Sequence, residues 1–285
     1  MTSQEYQNNI TTILEKIKEA DSIIIGASNG LSISEGYHIF AEDAAFIEHF
    51  GDFRNKYGLR SIIQGAFYPY PSQEEKWAFF SRMYEYFIGD KEASSIMKNL
   101  YEIMKDKNYF VVTSNTDTHF ELAGFSKERI FEIEGNCRKL QCSNCCHDKI
   151  YPGDEIVSKM AKSQKYGKVP SEIIPKCPEC GGDMQMYVEI DRNFLKGHSW
   201  QTKYKNYENF INNAHGKKLV LLELGVGVRN QLIKAPFMRL TNFEENATYI
   251  TVNKGELYIP NEIADKSIGV DGNIAELLQE LVKMK

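Results

Sequence analysis

The chain of 285 residues is short of several things, and each shortage narrows its class. It has no surplus of basic residues: 34 Lys and Arg stand against 39 Asp and Glu, a formal net charge of -5. A broad phosphate-backbone footprint needs the opposite balance, so nucleic acid is not an expected partner. No apolar run approaches the roughly 20 residues that span a bilayer, which speaks against a membrane helix. The opening Met1-Thr2-Ser3-Gln4-Glu5 lacks the basic and apolar regions of a secretory leader, and a cytoplasmic protein is the expectation. Outside residues 137–180 there is no cysteine at all. Disulfides that staple a secreted fold would be spread along it; thiols gathered in one segment point to a metal.

What is present reads as α/β. Tyr6, Ile10, Ile13, Leu14 and Ile17 recur at helical spacing. Ile23-Ile24-Ile25 then form a short run suited to a strand buried on both faces, followed by a turn from Gly26 to Gly30. Further strands are expected at Tyr109–Thr113, Leu219–Leu224 and Thr248–Val252, each ending in small or polar residues. In an open parallel sheet, ligands are met at those carboxyl ends. Asp271-Gly272-Asn273 caps a closing helix with Ile274, Leu277, Leu278 and Leu281 on one face. The expected architecture is a Rossmann-like parallel sheet domain built from residues 1–36, 96–136 and 214–285. A smaller domain combines a helical module at 37–95 with a zinc-ribbon module at 137–213. The aromatics from Phe46 to Phe87 read as the core of the helical module.

Two cysteine groups carry the metal signal. Cys177-Pro178-Glu179-Cys180-Gly181-Gly182 is one knuckle, in which glycines let the chain fold around a cation. The other is Cys142-Ser143-Asn144-Cys145-Cys146-His147, where Cys142 can pair with Cys145 or Cys146. Two-residue spacing favours Cys145. Four thiolates make a closed, structural zinc site. Cys137 lies outside the pairs and reads as a buried thiol.

The order of landmarks is a glycine turn after the first strand, Asn115-Thr116-Asp117, Glu134-Gly135, the cysteine groups, Gly225-Val226-Gly227 and Val252-Asn253. Over nearly the whole chain this order resembles the sirtuins, and in detail their macrodomain-linked microbial branch. Leu224 to Gly227, Lys168-Val169-Pro170 and the Cys142-to-His147 segment carry that finer likeness. It implies Cys146 as the fourth zinc ligand, with Cys145 as its rival. The resemblance implies NAD as substrate, held by Gly26, Ala27, Ser28, Asn29, Gly30, Ser32, Phe40, Asn115, Asp117, Gly225, Val226, Gly227 and Asn253. Backbone amides of the first turn would face the pyrophosphate. Asn115 would stand near the nicotinamide ribose, Asp117 near the carboxamide and Asn253 near the adenine-side ribose. Taken alone, Asn115 and Asp117 read as turn chemistry, since such side chains bond their own backbone.

Glu134 is the chief departure. Deacylating sirtuins carry a histidine there, because a neutral imidazole accepts a ribose hydroxyl proton near neutral pH, and the macrodomain-linked branch typically has glutamine. A carboxylate instead binds ribose hydroxyls and steadies positive charge on the sugar, which suits cleavage of the nicotinamide–ribose bond. Asn115 and Glu134 are thus the catalytic candidates. A second departure removes charge: the family's Asp-Phe-Arg triplet reads Ile39-Phe40-Ala41 here, and Asp52-Phe53-Arg54 is a decoy by position. His119, His147 and His198 read as structural or exposed histidines. The function implied is an NAD-dependent protein ADP-ribosyltransferase acting on a protein acceptor, in that branch a lipoylated carrier resembling the glycine-cleavage H protein. A lysine deacylase, a non-catalytic NAD or ADP-ribose binder and an NAD glycohydrolase, in which water is the acceptor, are the alternatives.

Overall fold

A computed structural model describes residues 3–285; Met1 and Thr2 of the opening segment lie outside the described residues. Among the described residues there are nine strands: β1 (Ser22–Ala27), β2 (Tyr109–Thr113), β3 (Ile130–Glu132), β4 (Gly135–Cys142), β5 (Tyr151–Pro152), β6 (Met184–Val188), β7 (Leu219–Leu224), β8 (Ala247–Asn253) and β9 (Ser267–Asp271). Six of them form one sheet in the order β3-β2-β1-β7-β8-β9. All five pairings are parallel. This is the doubly wound Rossmann order, and its direction reverses between β1 and β7.

The central strands are apolar without alternation because helices cover both faces. Ile23 and Ile25 face a core closed by helices Ser3–Glu19, Ser95–Met104 and Ile274–Met284. Ile24 faces the opposite core, under helices His198–Ala214 and Gln231–Phe243. Asn273 caps the last helix, its side chain accepting from the Ala275 amide. Within this sheet the two strands not foreseen, β3 and β9, are its edges. β3 has three residues, and most of β9 is only half-buried, so neither bears a long apolar signature.

The smaller sheet is antiparallel, ordered β5-β4-β6. A single core joins it to the aromatic helices Ala44–Tyr57 and Gln73–Phe87: Phe50, Trp77 and Phe79 pack in the same cluster as Leu140, Met160 and Met186. Helix His198–Ala214, grouped with the cysteine segment in the sequence division, packs elsewhere. Its Trp200, Tyr207 and Phe210 lie on Phe110 and Phe131 of the parallel sheet, and Trp200 donates to Ile133 O at 2.9 Å. Among the described residues, no helix is long and apolar enough to cross a membrane.

Candidate active site

The chain turns at the switch point between β1 and β7, but later than the glycines imply. Gly26 and Ala27 belong to β1 and are buried, so the turn begins only at Ser28, which caps the short helix Asn29–Ser34. A Cβ on Gly26 would meet Ile233 and Phe237 at 2.6 Å, so this glycine admits helix Gln231–Phe243 close to the strand. Gly30 serves a different approach. A Cβ there would fall 2.5 Å from the Gly225 Cα, while Gly225 itself has φ +64°. The two turns cross in contact, and the Gly30 amide donates to Gly225 O at 2.9 Å.

Polar groups from three strand ends meet at this crossing. Asn230 Nδ2 donates to Ser28 Oγ at 2.9 Å and Ser114 Oγ at 2.8 Å, and Ser114 Oγ donates to Ser28 Oγ at 3.0 Å. Asn115 Nδ2 donates to Ser28 O and Ser32 Oγ, both at 3.0 Å. Ser32 Oγ in turn donates to Asp117 Oδ2 at 2.6 Å, and Asp117 Oδ1 accepts the His119 amide at 3.1 Å. Asn115 Oδ1 and Asn230 Oδ1 are buried with no partner. Buried acceptors are seldom left so, and these two stand at the end of the sheet where a Rossmann ligand is bound.

Glu134 connects the two sheets, between β3 and β4, and its carbonyl accepts the Glu189 amide at 2.8 Å. Gly135 beside it has φ +96°, and a Cβ would fall 2.1 Å from Tyr187 O, so the junction requires glycine. Glu134 shares the lining of a cavity of about 140 Å³ with Asn29, Ser32, Asn115 and Asp117. Ile39, Ile62, Phe67, Phe80, Met83 and Phe87 supply an apolar wall. Burial lifts the Glu134 carboxyl to about 7; neighbouring Glu189 adds to this, and Lys196 only partly opposes it. Lys196 is already paired with Glu189 at 3.0 Å.

The remaining candidates are placed unevenly. Phe40 is 52% exposed and absent from the cavity wall, whereas Ile39 beside it lines the cavity. Val226 is buried behind the turn. Gly227 and Asn253 meet around Glu256: a Cβ on Gly227 would lie 3.0 Å from its carboxylate, and Asn253 Nδ2 donates to Glu256 O at 3.2 Å. Asp52 and Arg54 are taken up in ion pairs with Arg82 and Glu42 in the helical segment. Asn230, Glu189 and Glu35, which pairs with His119, were not foreseen. Asn230 has a local signal, since it stands at the N-terminal boundary of the helix that follows β7, although its side chain makes no cap hydrogen bond. The two glutamates have none.

Cys142, Cys146, Cys177 and Cys180 bring their four Sγ atoms within 4.8 Å of one another. Cys145 is not among them. Its backbone is left-handed at φ +48°, and its thiol turns away to donate to Asn193 O at 2.8 Å. The favoured two-residue pairing fails because Cys145 itself makes the turn that presents Cys146. His147 Nε2 stands 3.3 Å from Cys177 Sγ and 3.2 Å from the Tyr151 hydroxyl. Cys137 is buried against Thr116.

Parallel strands in this order, glycines crossing at the switch point and unpaired acceptors at the strand ends define a Rossmann-type dinucleotide-binding architecture. Comparison with known proteins narrows the class. The chain belongs to the Sir2 family, whose sequence pattern matches residues 51–213. It is 33% identical over 264 residues to a Staphylococcus aureus "Protein ADP-ribosyltransferase", covering 92% of this chain and 83% of that one. A Fusarium oxysporum f. sp. cubense "Probable bifunctional ADP-ribose hydrolase/ADP-ribosyltransferase" is 26% identical over 292 residues; the match spans 97% of this chain and 48% of that protein. The fold is shared with a solved Sir2 homologue–NAD complex at TM-score 0.66 and 16% identity, over 96% of this chain and 93% of that one. A sirtuin structure concerned with substrate affinity matches at TM-score 0.64 and 15% identity, over 100% and 99% of the two chains.

Proposed function

We propose that this chain is an NAD-dependent protein ADP-ribosyltransferase of the macrodomain-linked sirtuin branch. The observation that carries the reading is Glu134: a half-buried carboxyl facing the same cavity as Asn115 and Asp117, at the position where deacylating sirtuins hold a histidine. NAD supplies an ADP-ribosyl group with nicotinamide as its leaving group. The residues present suit it, since Asn115 Oδ1 is a buried acceptor awaiting a donor and the bare Gly30–Gly225 crossing leaves backbone free to approach phosphates. Ionised Glu134 would accept from ribose hydroxyls and offset the positive charge that grows on the sugar as the glycosidic bond lengthens. Asn115 orients the same ribose, and Asp117 accepts from the carboxamide. The apolar wall excludes water, favouring transfer to a protein nucleophile over hydrolysis.

The cysteine module belongs to the same reading as a zinc ribbon. Zinc–thiolate bonds of about 2.3 Å make a tetrahedron with edges of about 3.8 Å. Cys142 and Cys180 lie 3.7 Å apart and Cys146 and Cys177 3.6 Å, which suits that figure and no disulfide. Four thiolates close the coordination, so the zinc is structural, and reduced thiols fit a cytoplasmic setting. The division into a discontinuous Rossmann domain and a small domain is likewise part of this reading, as is a lipoylated, glycine-cleavage-H-like carrier as acceptor.

One observation favours a second reading. Ile39 and Ala41 stand where the family carries Asp and Arg, which suits a chain that binds NAD or ADP-ribose without turnover. Incubation with adenine-labelled NAD, a lipoylated carrier and an acyl-lysine peptide separates the readings. Label on the carrier with stoichiometric nicotinamide release is the expected result. Acyl-ADP-ribose would replace it with a deacylase, and saturable NAD binding without nicotinamide release would leave the binding module.

A further inference from the structure

Behind the cavity lies a buried charge cluster that the transfer chemistry does not use. Glu35 ends the helix Asn29–Ser34, and His119 follows Asp117 by two residues across the left-handed Thr118, at φ +63°. His119 Nδ1 is 2.8 Å from Glu35 Oε2, and Nε2 is 2.9 Å from Phe87 O. A carboxylate and a carbonyl are both acceptors, so both ring nitrogens donate and the ring is an imidazolium. It therefore has no lone pair with which to take a proton or bind a metal. Ser94 Oγ donates to the other Glu35 oxygen at 2.7 Å. The side chains of His119 and Glu35 are 6% and 2% exposed, so little water screens them.

The remaining groups facing the ring are Asp117, whose Oδ2 is 3.9 Å from Nδ1, and Tyr37, whose ring centroid is 5.1 Å away. Lys91 sits beyond Tyr37, donating to its hydroxyl at 3.3 Å. Burial works against a charge on His119, but Asp117, Glu35 and the Phe87 carbonyl outweigh it and raise its pKa to about 9. The cation thus persists across the neutral range. Meanwhile both Asp117 oxygens are anchored, one by Ser32 and one by the His119 amide. The carboxylate is held in one orientation with lone pairs to spare.

We infer that Glu35 and His119 are positioning residues: a buried ion pair that fixes Asp117 as a negatively charged acceptor for the carboxamide end of NAD. This rests on the assignment of Asp117 to that end in the proposed function. The pair also explains why this chain has Glu35 and His119 together, since either alone would bury an unpaired charge.

The test compares two ligands on the full chain by calorimetry: NAD, and ADP-ribose, which lacks the carboxamide. Wild type is expected to bind both. Glu35→Gln and His119→Gln are expected to weaken NAD about tenfold and leave ADP-ribose within about twofold, the effect of losing one charge-assisted hydrogen bond. Asp117→Asn is expected to do the same, and Glu35→Gln added to it to cost nothing more. Equal losses for both ligands, or an unchanged NAD affinity, overturn the positioning role while leaving the cofactor reading intact. A wild type that binds neither ligand overturns the cofactor reading and the inference together. Should His119→Gln not fold, Glu35→Gln and the wild-type ring signals remain. Two-bond 1H–15N spectra near pH 7.5 are expected to show both His119 nitrogens protonated, and a neutral tautomer overturns the pair.

Discussion

At Glu134, activity and stability pull against each other. The carboxyl is raised to about 7, burial being the main cause, so the fold prefers its protonated form. That preference contributes stability present in full below the ordinary carboxyl range near 4.5 and lost as pH rises through about 7. The proposed chemistry needs the opposite form, because only the carboxylate offsets positive charge on the ribose. Nicotinamide release should therefore rise with pH through about 7 and then level. Glu134→Gln is expected to abolish that limb and to slow release by about 10²-fold at pH 8, the scale of losing one electrostatic group, with NAD affinity little changed. Glu134→Ala should be at least as slow. Stopped-time assays of nicotinamide across pH 5.5–8.5 measure both effects (a range set about the value near 7). Turnover unchanged in either variant would remove Glu134 from the chemistry.

Among the elements, the two knuckles and the glycine crossing carry separable consequences. Cys146 is in the four-thiol group and Cys145 is not, although they are adjacent in sequence. If the four thiols hold the proposed zinc, Cys146→Ser should lose it, as mass spectrometry of the purified protein would read, and lower the unfolding midpoint sharply, because metal binding and folding are coupled in such modules. Cys145→Ser should keep zinc and lose at most the hydrogen bond to Asn193, about 1 kcal/mol. Equal zinc content in both variants would dissolve the assignment. Gly30→Ala tests the crossing: its Cβ would enter Gly225 backbone, which cannot rotate aside as a side chain can. We expect loss of NAD binding beyond any change in the thermal midpoint, whereas undiminished affinity would show that the crossing does not serve the ligand.

These elements also show what was legible. The central strands announce themselves because burial on both faces demands uninterrupted apolar runs, as in Ile23-Ile24-Ile25 and Leu219–Leu224. The edge strands β3 and β9 escape because β3 has only three residues and most of β9 is half-buried, so neither presents a long apolar run. Glycine signals a special backbone without saying which: Gly26 serves helix packing and Gly30 a crossing of turns, and a one-dimensional reading merges them into one loop. Spacing alone favours Cys145, yet the left-handed residue that makes a knuckle is invisible until the chain is folded. Glu134, Asn115 and Asp117 could be found by their order among landmarks. The partnership of Glu35 with His119 could not, since residues 84 apart in sequence reveal no pairing by periodicity.

For the whole molecule, that same pair sets a pH dependence that local contacts would not suggest. It ties together the helix Asn29–Ser34 through Glu35, the β2 loop through His119 and the helical segment through Phe87 and Ser94. The core above the parallel sheet and the aromatic core beside it are thereby joined through one buried cation. Its folded pKa of about 9 lies above the ordinary histidine value of 6.5. A raised folded value means the native state binds the extra proton, so the contribution is complete below about pH 6.5 and disappears as pH climbs through about 9. At 1.36 kcal/mol per unit, the gap corresponds to on the order of 3 kcal/mol. Glu134 acts in a lower window, between its ordinary value and about 7, so subtracting a variant isolates the histidine. The stability difference between wild type and His119→Gln, from urea unfolding, should be largest near pH 6 and shrink by about 3 kcal/mol by pH 10. A difference that stays constant over this range would mean that His119 stabilises the fold by packing alone. The charge, and with it the electrostatic anchoring of Asp117, would then have to be abandoned.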